Sequence, residues 1–495
     1  MDFINVRPPL VFIYHSLFIL AGEFAIYFSR FFFWLESASV AWLSALIFTH
    51  RQLPPVSVFL LAGIAFIFNV HDFPQIPWSV VEGVLLLLIG VHMVTSKPEK
   101  KTNVAAYFIM GLSYMFKQNF LFAVVAALLC FGGRRPANWV AAALPGIVYL
   151  AFYAIIGGLE ELFFQMTWAG NLCSECDTGL VRVFKTTLWG KKYALLGGIV
   201  AAAALYQAGN KPRWKIPALV LAIPAVVFLG TDFHNGGFWR LINGSEAIFP
   251  FVAFAMCFTV SVILAVKRKF EQSRYFVFLF VLGWAICIST GYKTPFLILG
   301  TMMVALCVFF LRRANPRALN LLLAALIVLF SFVFVNWRKN NIYREVSSVS
   351  MINRSLDGVM PGAKMIKTNS NTYAAIADFK NLTDKMRAEG KTYATVPFFA
   401  AWWVRSEQKN PLPNDWPNIV ELMGNDPRMI ERFLGSMIKQ KGSISIIWQK
   451  YDMERLATNP TPSYFHGFSN PRMLNSFLKK YFTKTYETEF YEVYE

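Results

Sequence analysis

The sequence predicts a polytopic all-α membrane domain of about twelve spans, followed by a small extracytoplasmic α/β domain. Two observations predict it. Hydrophobic residues fill 56% of the 495 positions and charged residues only 15%, whereas a soluble globule carries roughly 25% charged residues. The composition also changes once along the chain. Up to residue 336 long apolar runs alternate with short linkers, and after Trp337 the sequence becomes an ordinary polar–apolar mixture. The expected division is therefore a membrane domain over 1–336 and an extracytoplasmic domain over 337–495.

At the start, residues 8–21 (PPLVFIYHSLFILA) are apolar but short, and Pro8-Pro9 suit the first turn of a helix. This predicts a helix lying at the outer interface, ended by Gly22-Glu23. Apolar runs follow at about 26–49, 55–70, 79–95, 138–157, 193–208, 216–230, 245–266, 275–291, 295–311 and 318–336. A hydrocarbon core needs about 20 helical residues, so the shortest runs borrow flanking residues. The stretch 103–131 is long enough for two passes, interrupted at Lys117-Gln118-Asn119.

Charge in the linkers sets the orientation. If 26–49 runs inward, the inner linkers hold 16 Lys or Arg in 38 residues and the outer ones 7 in 68. The positive-inside rule then places 337–495 outside the cytoplasm. Much of the net charge of +18 is accounted for by this topology and requires no nucleic-acid partner. Cys130, Cys257, Cys287 and Cys307 fall within spans, where a thiol is a small apolar group. Cys173 and Cys176 form a C-x-x-C in the long outer loop 158–192. On an oxidising face this spacing reads as a local disulfide, ahead of a redox or half-zinc site.

The C-terminal region carries helix punctuation. Asn371 is the expected cap of a helix over 372–389, Gly390 its end, and 392–399 a strand. Asp426-Pro427 opens a second helix stopped by Gly442, followed by the strand 443–448. Asn470-Pro471 opens a third, followed by a strand over 486–494. Three helix-then-strand units predict a small parallel α/β layer.

Ionisable residues within spans are costly and mark candidate sites. Glu36 reads as mid-span, and Glu82 as one turn inside the outer end of its helix. The plainer alternative for each is a partner on a neighbouring helix. On the outer face polar groups collect in five pieces: Asp2 with Arg7, His71-Asp72, Lys117-Gln118, Asp232 with His234 and Arg240, and Tyr292-Lys293. Singly, such cations snorkel to headgroups; together they suit a lipid phosphate. Asp232-x-His234 has ligand chemistry for a divalent cation, the one cofactor the sequence suggests. There is no Walker loop, dinucleotide fingerprint or H-E-x-x-H.

Arg7-Pro8-Pro9-Leu10, with Leu17-Phe18, Gly22-Glu23 and Arg30 entering a span, resembles the GT-C glycosyltransferases of the protein-mannosyltransferase and aminoarabinose-transferase type. Glu82 is similar to that family's acidic residue opening a later span. Residues 111–118 (GLSYMFKQ) resemble its glycine-leucine helix ending in lysine, and Thr290-Gly291-Tyr292-Lys293-Thr294-Pro295 its glycine-tyrosine-proline turn. The likeness covers most of the chain through short motifs. It implies a multi-pass enzyme of the bacterial cytoplasmic membrane that moves a sugar from a polyprenyl-phosphate carrier to a lipid, glycan or protein acceptor outside. It further implies an Asp in the first outer loop as base, for which Asp2 is the carboxylate this chain offers. Arg7, Lys117, Gln118, Arg240, Tyr292 and Lys293 become the donor-phosphate residues. In the family a first span and its acid precede Arg7 by a few tens of residues. Here only six residues do, so that span is lacking from this sequence: either the natural start lies upstream or this is a truncated member. An O-antigen polymerase or ligase, a transporter or flippase, and a non-catalytic homologue are the competing classes.

Overall fold

The computed structural model describes residues 8–49, 52–71, 76–96, 103–132, 135–164, 192–208, 249–288, 295–311, 315–340, 349–397, 399–414, 417, 427–452, 456 and 473–495. Among the described residues the N-terminal part contains helices and no strand: α1 (Leu10–Ser16), α2 (Ala25–Thr49), α3 (Pro55–Val70), α4 (Ser79–Ser96), α5 (Val104–Tyr114), α6 (Phe120–Ala127), α7 (Pro136–Ile155), α8 (Lys192–Ala208), α9 (Phe249–Val266), α10 (Phe270–Cys287), α11 (Leu299–Leu311) and α12 (Pro316–Asn340). Among the described residues, five helical segments are long and apolar enough to cross a membrane: Leu10–Thr49, Ser79–Ser96, Pro136–Ile155, Phe249–Val266 and Pro316–Lys339. Five shorter apolar helices accompany them, α3, α5 and α11 among these. The run 216–230 lies outside the described residues. The interruption expected near Lys117 is real, since α5 stops at Tyr114 and α6 starts at Phe120.

Outward-facing positions are apolar. Ile147, Val148 and Phe152 on α7, and Val328, Leu329 and Phe332 on α12, are exposed, an arrangement that suits a hydrocarbon solvent and not water. Between helices the contacts are those of membrane packing, where small residues let backbones approach. A side chain at Gly300 (α11) would strike the backbone of Ala65 (α3), and one at Gly111 (α5) the carbonyl of Ala142 (α7). A few buried polar groups fix the pairing. Asn69 Oδ1 accepts from the Gly300 and Thr301 N–H groups at 2.8 and 3.3 Å, and Ser44 meets Thr301 at 2.9 Å. At the end of α3, Arg338 of α12 donates from Nε and Nη2 to the carbonyls of His71 and Val70, both at 2.7 Å, satisfying acceptors that the helix end leaves open.

The predicted interfacial segment is helical. After α1 the chain continues as a 3₁₀ stretch over Leu17–Phe24, broken at Gly22, whose φ of 59° suits a residue without a side chain. The chain then reverses into α2, with Phe18 set against Phe32 at 5.6 Å between ring centroids.

The C-terminal region contains α13 (Ser370–Ala388), α14 (Ala400–Trp403), α15 (Pro427–Lys439) and α16 (Met473–Tyr481). Its strands are β1 (Arg354–Ser355), β2 (Lys367–Thr368), β3 (Thr392–Val396), β4 (Ile444–Gln449), β5 (Lys484–Glu487) and β6 (Tyr491–Tyr494). The main sheet has the order β3-β4-β6-β5. Only β3 and β4 are parallel; β4–β6 and β6–β5 are antiparallel. The expected parallel layer is therefore a mixed sheet. The run 486–494, read as one strand, belongs to a hairpin in which the Thr488 N–H donates to the Tyr491 carbonyl at 2.8 Å.

Strand β4 is buried along its whole length. Alternation sends Ile446 and Trp448 to one face with Phe433 of α15 and Leu478 of α16, and Ile447 to the other with Phe379 of α13. The result is a sheet covered by helices on both faces. Helix α13 starts at Ser370, two residues before the expected 372. Asn369, not Asn371, caps it, because the Asn369 Oδ1 reaches the Thr372 N–H at 2.9 Å while Asn371 donates to the Leu456 carbonyl. Gly390 and Gly442 end α13 and the α15 turn with φ of 68° and 83°, as glycines past a helix end commonly do. Asn470 and Pro471 lie outside the described residues.

The two parts touch at defined points. The Ile26 N–H donates to the Gly362 carbonyl at 3.1 Å, and the Lys364 N–H to the Glu23 carbonyl at 2.9 Å. Arg432 of α15 pairs with Glu161 at 2.6 Å, just past α7. The end of the bundle where α2 begins and α7 and α12 finish is thus its domain end.

Candidate functional site

Polar groups gather at the domain end around α1. The α1 backbone is anchored by a hydrogen bond from the Leu10 N–H to the Met115 carbonyl, 3.2 Å long, in the connection between α5 and α6. Tyr14 packs edge-on against Phe116 at 5.7 Å and against Phe18 at 5.4 Å. The His15 ring stacks over Phe18 at 5.8 Å. These contacts aim two consecutive polar side chains at two different helices. The Tyr14 hydroxyl donates to Glu36 Oε1 on α2 in a short hydrogen bond. His15 Nε2 meets Glu82 Oε1 on α4 at 2.7 Å.

Both carboxylates are enclosed by protein, Glu36 at 6% exposure and Glu82 at 3%. They sit on helices that pack directly against each other. Glu82 Oε2 is buried and has no hydrogen-bond partner among the described residues. Burying a carboxylate oxygen without a partner is costly, so the arrangement is expensive unless it serves a purpose.

Glu36 is the twelfth of the 25 residues of α2, mid-helix as expected, and its neighbours lie at the ends of two other helices. Phe33, Ser37 and Val40 of α2 line a small cleft with Asn69, Val81 and Leu297. Asn69 is in the last turn of α3 and Val81 in the first turn of α4. Glu36 is therefore level with the bundle end. The eleven residues from Ala25 to Leu35 represent about 16 Å of helix that continues beyond that level toward the C-terminal domain. A 25-residue helix was legible; which part of it the neighbours surround was not.

Glu82 stands where the sequence placed it, in the first turn of α4. Lys117 and Gln118 occupy the turn between α5 and α6 next to Phe116, Lys117 half-buried and Gln118 exposed. The structure thus brings Glu36, Glu82 and the Lys117-Gln118 turn around α1. Asp2, Arg7, Cys173, Cys176, Asp232, His234, Arg240, Tyr292 and Lys293 lie outside the described residues. Among the described residues no three of His, Cys, Asp or Glu are grouped to hold a metal ion.

Sequence reasoning passed over Tyr14 and His15. The available signal was their adjacency: two polar residues in succession interrupting an apolar stretch of helix. Arg30 is a further addition. Its Nε is buried without a hydrogen-bond partner among the described residues, on the same helix as Glu36 and nearer the C-terminal domain. Comparison with protein-family models, curated proteins and solved structures gives no match for this chain.

Proposed function

We propose that this protein is a multi-pass membrane glycosyltransferase. It moves a sugar from a polyprenyl-phosphate carrier to a lipid, glycan or protein acceptor at the extracytoplasmic face of a bacterial cytoplasmic membrane. In this reading the membrane domain, residues 1–336, has the GT-C-like architecture of about twelve spans, and residues 337–495 form the domain outside the cytoplasm. The reaction is an in-line displacement at the anomeric carbon. It needs a base within hydrogen-bond reach of the acceptor hydroxyl and cations where charge builds on the leaving phosphate.

One observation carries the reading: two enclosed carboxylates, a Tyr–His pair and the Lys117 turn converge at a single level of the bundle end. In this reading that level is the depth at which a lipid phosphate is held. The enclosed Arg30 Nε supplies a further donor nearby. The position of Glu36 at the bundle end also favours chemistry at the surface over transport, which calls for charges deep in several spans.

The test is sugar transfer by the full-length protein reconstituted in vesicles with polyprenyl-phosphate-linked sugars. Loss of transfer in Lys117→Ala and Lys293→Ala, with expression intact, is the expected result. Full transfer in both variants contradicts the phosphate socket.

A further inference from the structure

We infer that His15 is the proton acceptor of the transfer reaction and that Glu82 is its positioning residue, an assignment that rests on the glycosyltransferase reading. The resemblance assigns the base to an aspartate in the first outer loop, here Asp2. The geometry brings a different group to the same end of the bundle.

The inference is built from His15 outward. Its Nε2 is taken by Glu82 Oε1 at 2.7 Å, and the ring is stacked on Phe18. With the Nε2 proton donated to Glu82, the lone pair resides on Nδ1. The His15 side chain is 28% exposed while that of Glu82 is 4% exposed. One partner therefore faces outward to receive a substrate while the other is enclosed behind it. A carboxylate that fixes the tautomer of an imidazole and stabilises its protonated form is the usual way to make histidine an efficient base. Tyr14 and Glu36 form a second pair beside it and hold α1 at its next residue. Among the described residues the charged and titratable groups around His15 are Tyr14 on α1, Glu36 on α2, Glu82 on α4 and Lys117 in the α5–α6 turn.

The step balances as follows. The acceptor oxygen forms a bond to the anomeric carbon while the bond from that carbon to the phosphate oxygen breaks. The bonding pair leaves with polyprenyl monophosphate. The acceptor proton passes to His15 Nδ1, and the resulting imidazolium is held by the Glu82 carboxylate until it loses the proton to water.

The experiment uses full-length protein in vesicles and two readouts. Release of polyprenyl monophosphate from a panel of polyprenyl-phosphate-linked hexoses and pentoses, in the presence of native membrane lipid, is followed by mass spectrometry. Binding of a short-chain polyprenyl monophosphate is followed by tryptophan fluorescence. His15→Gln slows release by about 10²–10⁴-fold and leaves binding within about twofold. In the wild type kcat/KM falls on the acid side, where a general base is protonated. That limb disappears in His15→Gln and is retained in Glu82→Gln, which lowers kcat by loosening the ring that the carboxylate positions. His15→Gln with the wild-type rate, or with the limb retained, overturns the assignment while leaving the glycosyltransferase reading intact. Should His15→Gln not fold, the wild-type profile decides, and a flat profile between about pH 5.5 and 8 overturns it. A wild-type protein that neither binds nor releases polyprenyl monophosphate overturns both the reading and the assignment.

Discussion

Polar side chains are used differently in the two parts of this molecule. In the C-terminal domain the ion pairs lie at the surface. Lys391 lies 3.3 Å from Glu389 and 2.8 Å from Glu495, and Glu487 is shared by Lys484 and Lys450 at 2.7 and 3.0 Å. In the bundle the polar side chains are few, enclosed and aimed across helices, as Asn69 is at α11 and His15 at Glu82. Exposed pairs are screened by water and salt and contribute little. Enclosed polar groups in an apolar solvent either fix which helices pair or take part in chemistry. The comparison teaches where to look in such a chain: every enclosed polar group of the bundle needs an explanation, and most surface pairs of the domain do not.

The comparison can be broken or sharpened by substitutions read separately in each part. Thiol labelling at the buried Cys257 and Cys287 reports opening of the bundle, and hydrogen exchange at β4 reports opening of the domain. The largest effect is expected for Phe379→Ala. Phe379 is fully buried and packs against Tyr393, Trp402 and Tyr491, so its loss costs about 3–5 kcal/mol. Exchange at β4 accelerates and thiol labelling in the bundle stays unchanged. If labelling accelerates equally, the two parts unfold as one unit and the contrast is weaker than drawn.

Asn69→Ala comes next. It leaves the Gly300 and Thr301 N–H groups without their acceptor and costs about 1–3 kcal/mol, seen as faster labelling of Cys257 and Cys287 with β4 exchange unaltered. Asn369→Ala removes the α13 cap and costs about 1 kcal/mol, seen only in the domain. An equal effect from Asn371→Ala contradicts the assignment of the cap.

The smallest effect belongs to the surface pairs, and it depends on pH. Hydrogen bonds from Lys484 and Lys450 hold the Glu487 carboxyl at about 2, below its ordinary 4.5. Lys391 likewise lowers the Glu495 carboxyl. A lowered folded-state pKa contributes stability that is present above the unfolded value and is lost as pH falls through the folded one. Glu487→Gln therefore changes β4 exchange little at pH 7 in high salt. It also removes part of the acid sensitivity of the domain between about pH 4.5 and 2. An effect at pH 7 as large as that of Asn369→Ala contradicts the low value placed on exposed pairs.

The two parts also differed in what their sequences disclosed. Helix starts and stops in the C-terminal domain follow from local chemistry. Pro427 at a first turn and Gly390 and Gly442 past helix ends stand where punctuation placed them. Strand direction did not follow, because 486–494 is a run of β-formers whose hairpin depends on pairing with β4. In the bundle the apolar runs marked the helices, and Glu82 marked the site. The rest of the site is tertiary. The level of Glu36 depends on where α3 ends and α4 begins, and the roles of Tyr14 and His15 depend on the chain reversing at Gly22 to lay α1 against α2 and α4.

The most direct test of the central claim, that the bundle end around α1 holds a polyprenyl phosphate, is photocrosslinking with peptide mapping. A polyprenyl monophosphate carrying its photoreactive group beside the phosphate is added to the full-length protein in vesicles, and labelled peptides are identified by mass spectrometry. The account predicts labelling that a photo-inert polyprenyl monophosphate competes away, concentrated in residues 10–36, 79–84 and 115–119. Labelling confined to the lipid-facing sides of α7 and α12, or not reduced by the competitor, contradicts it.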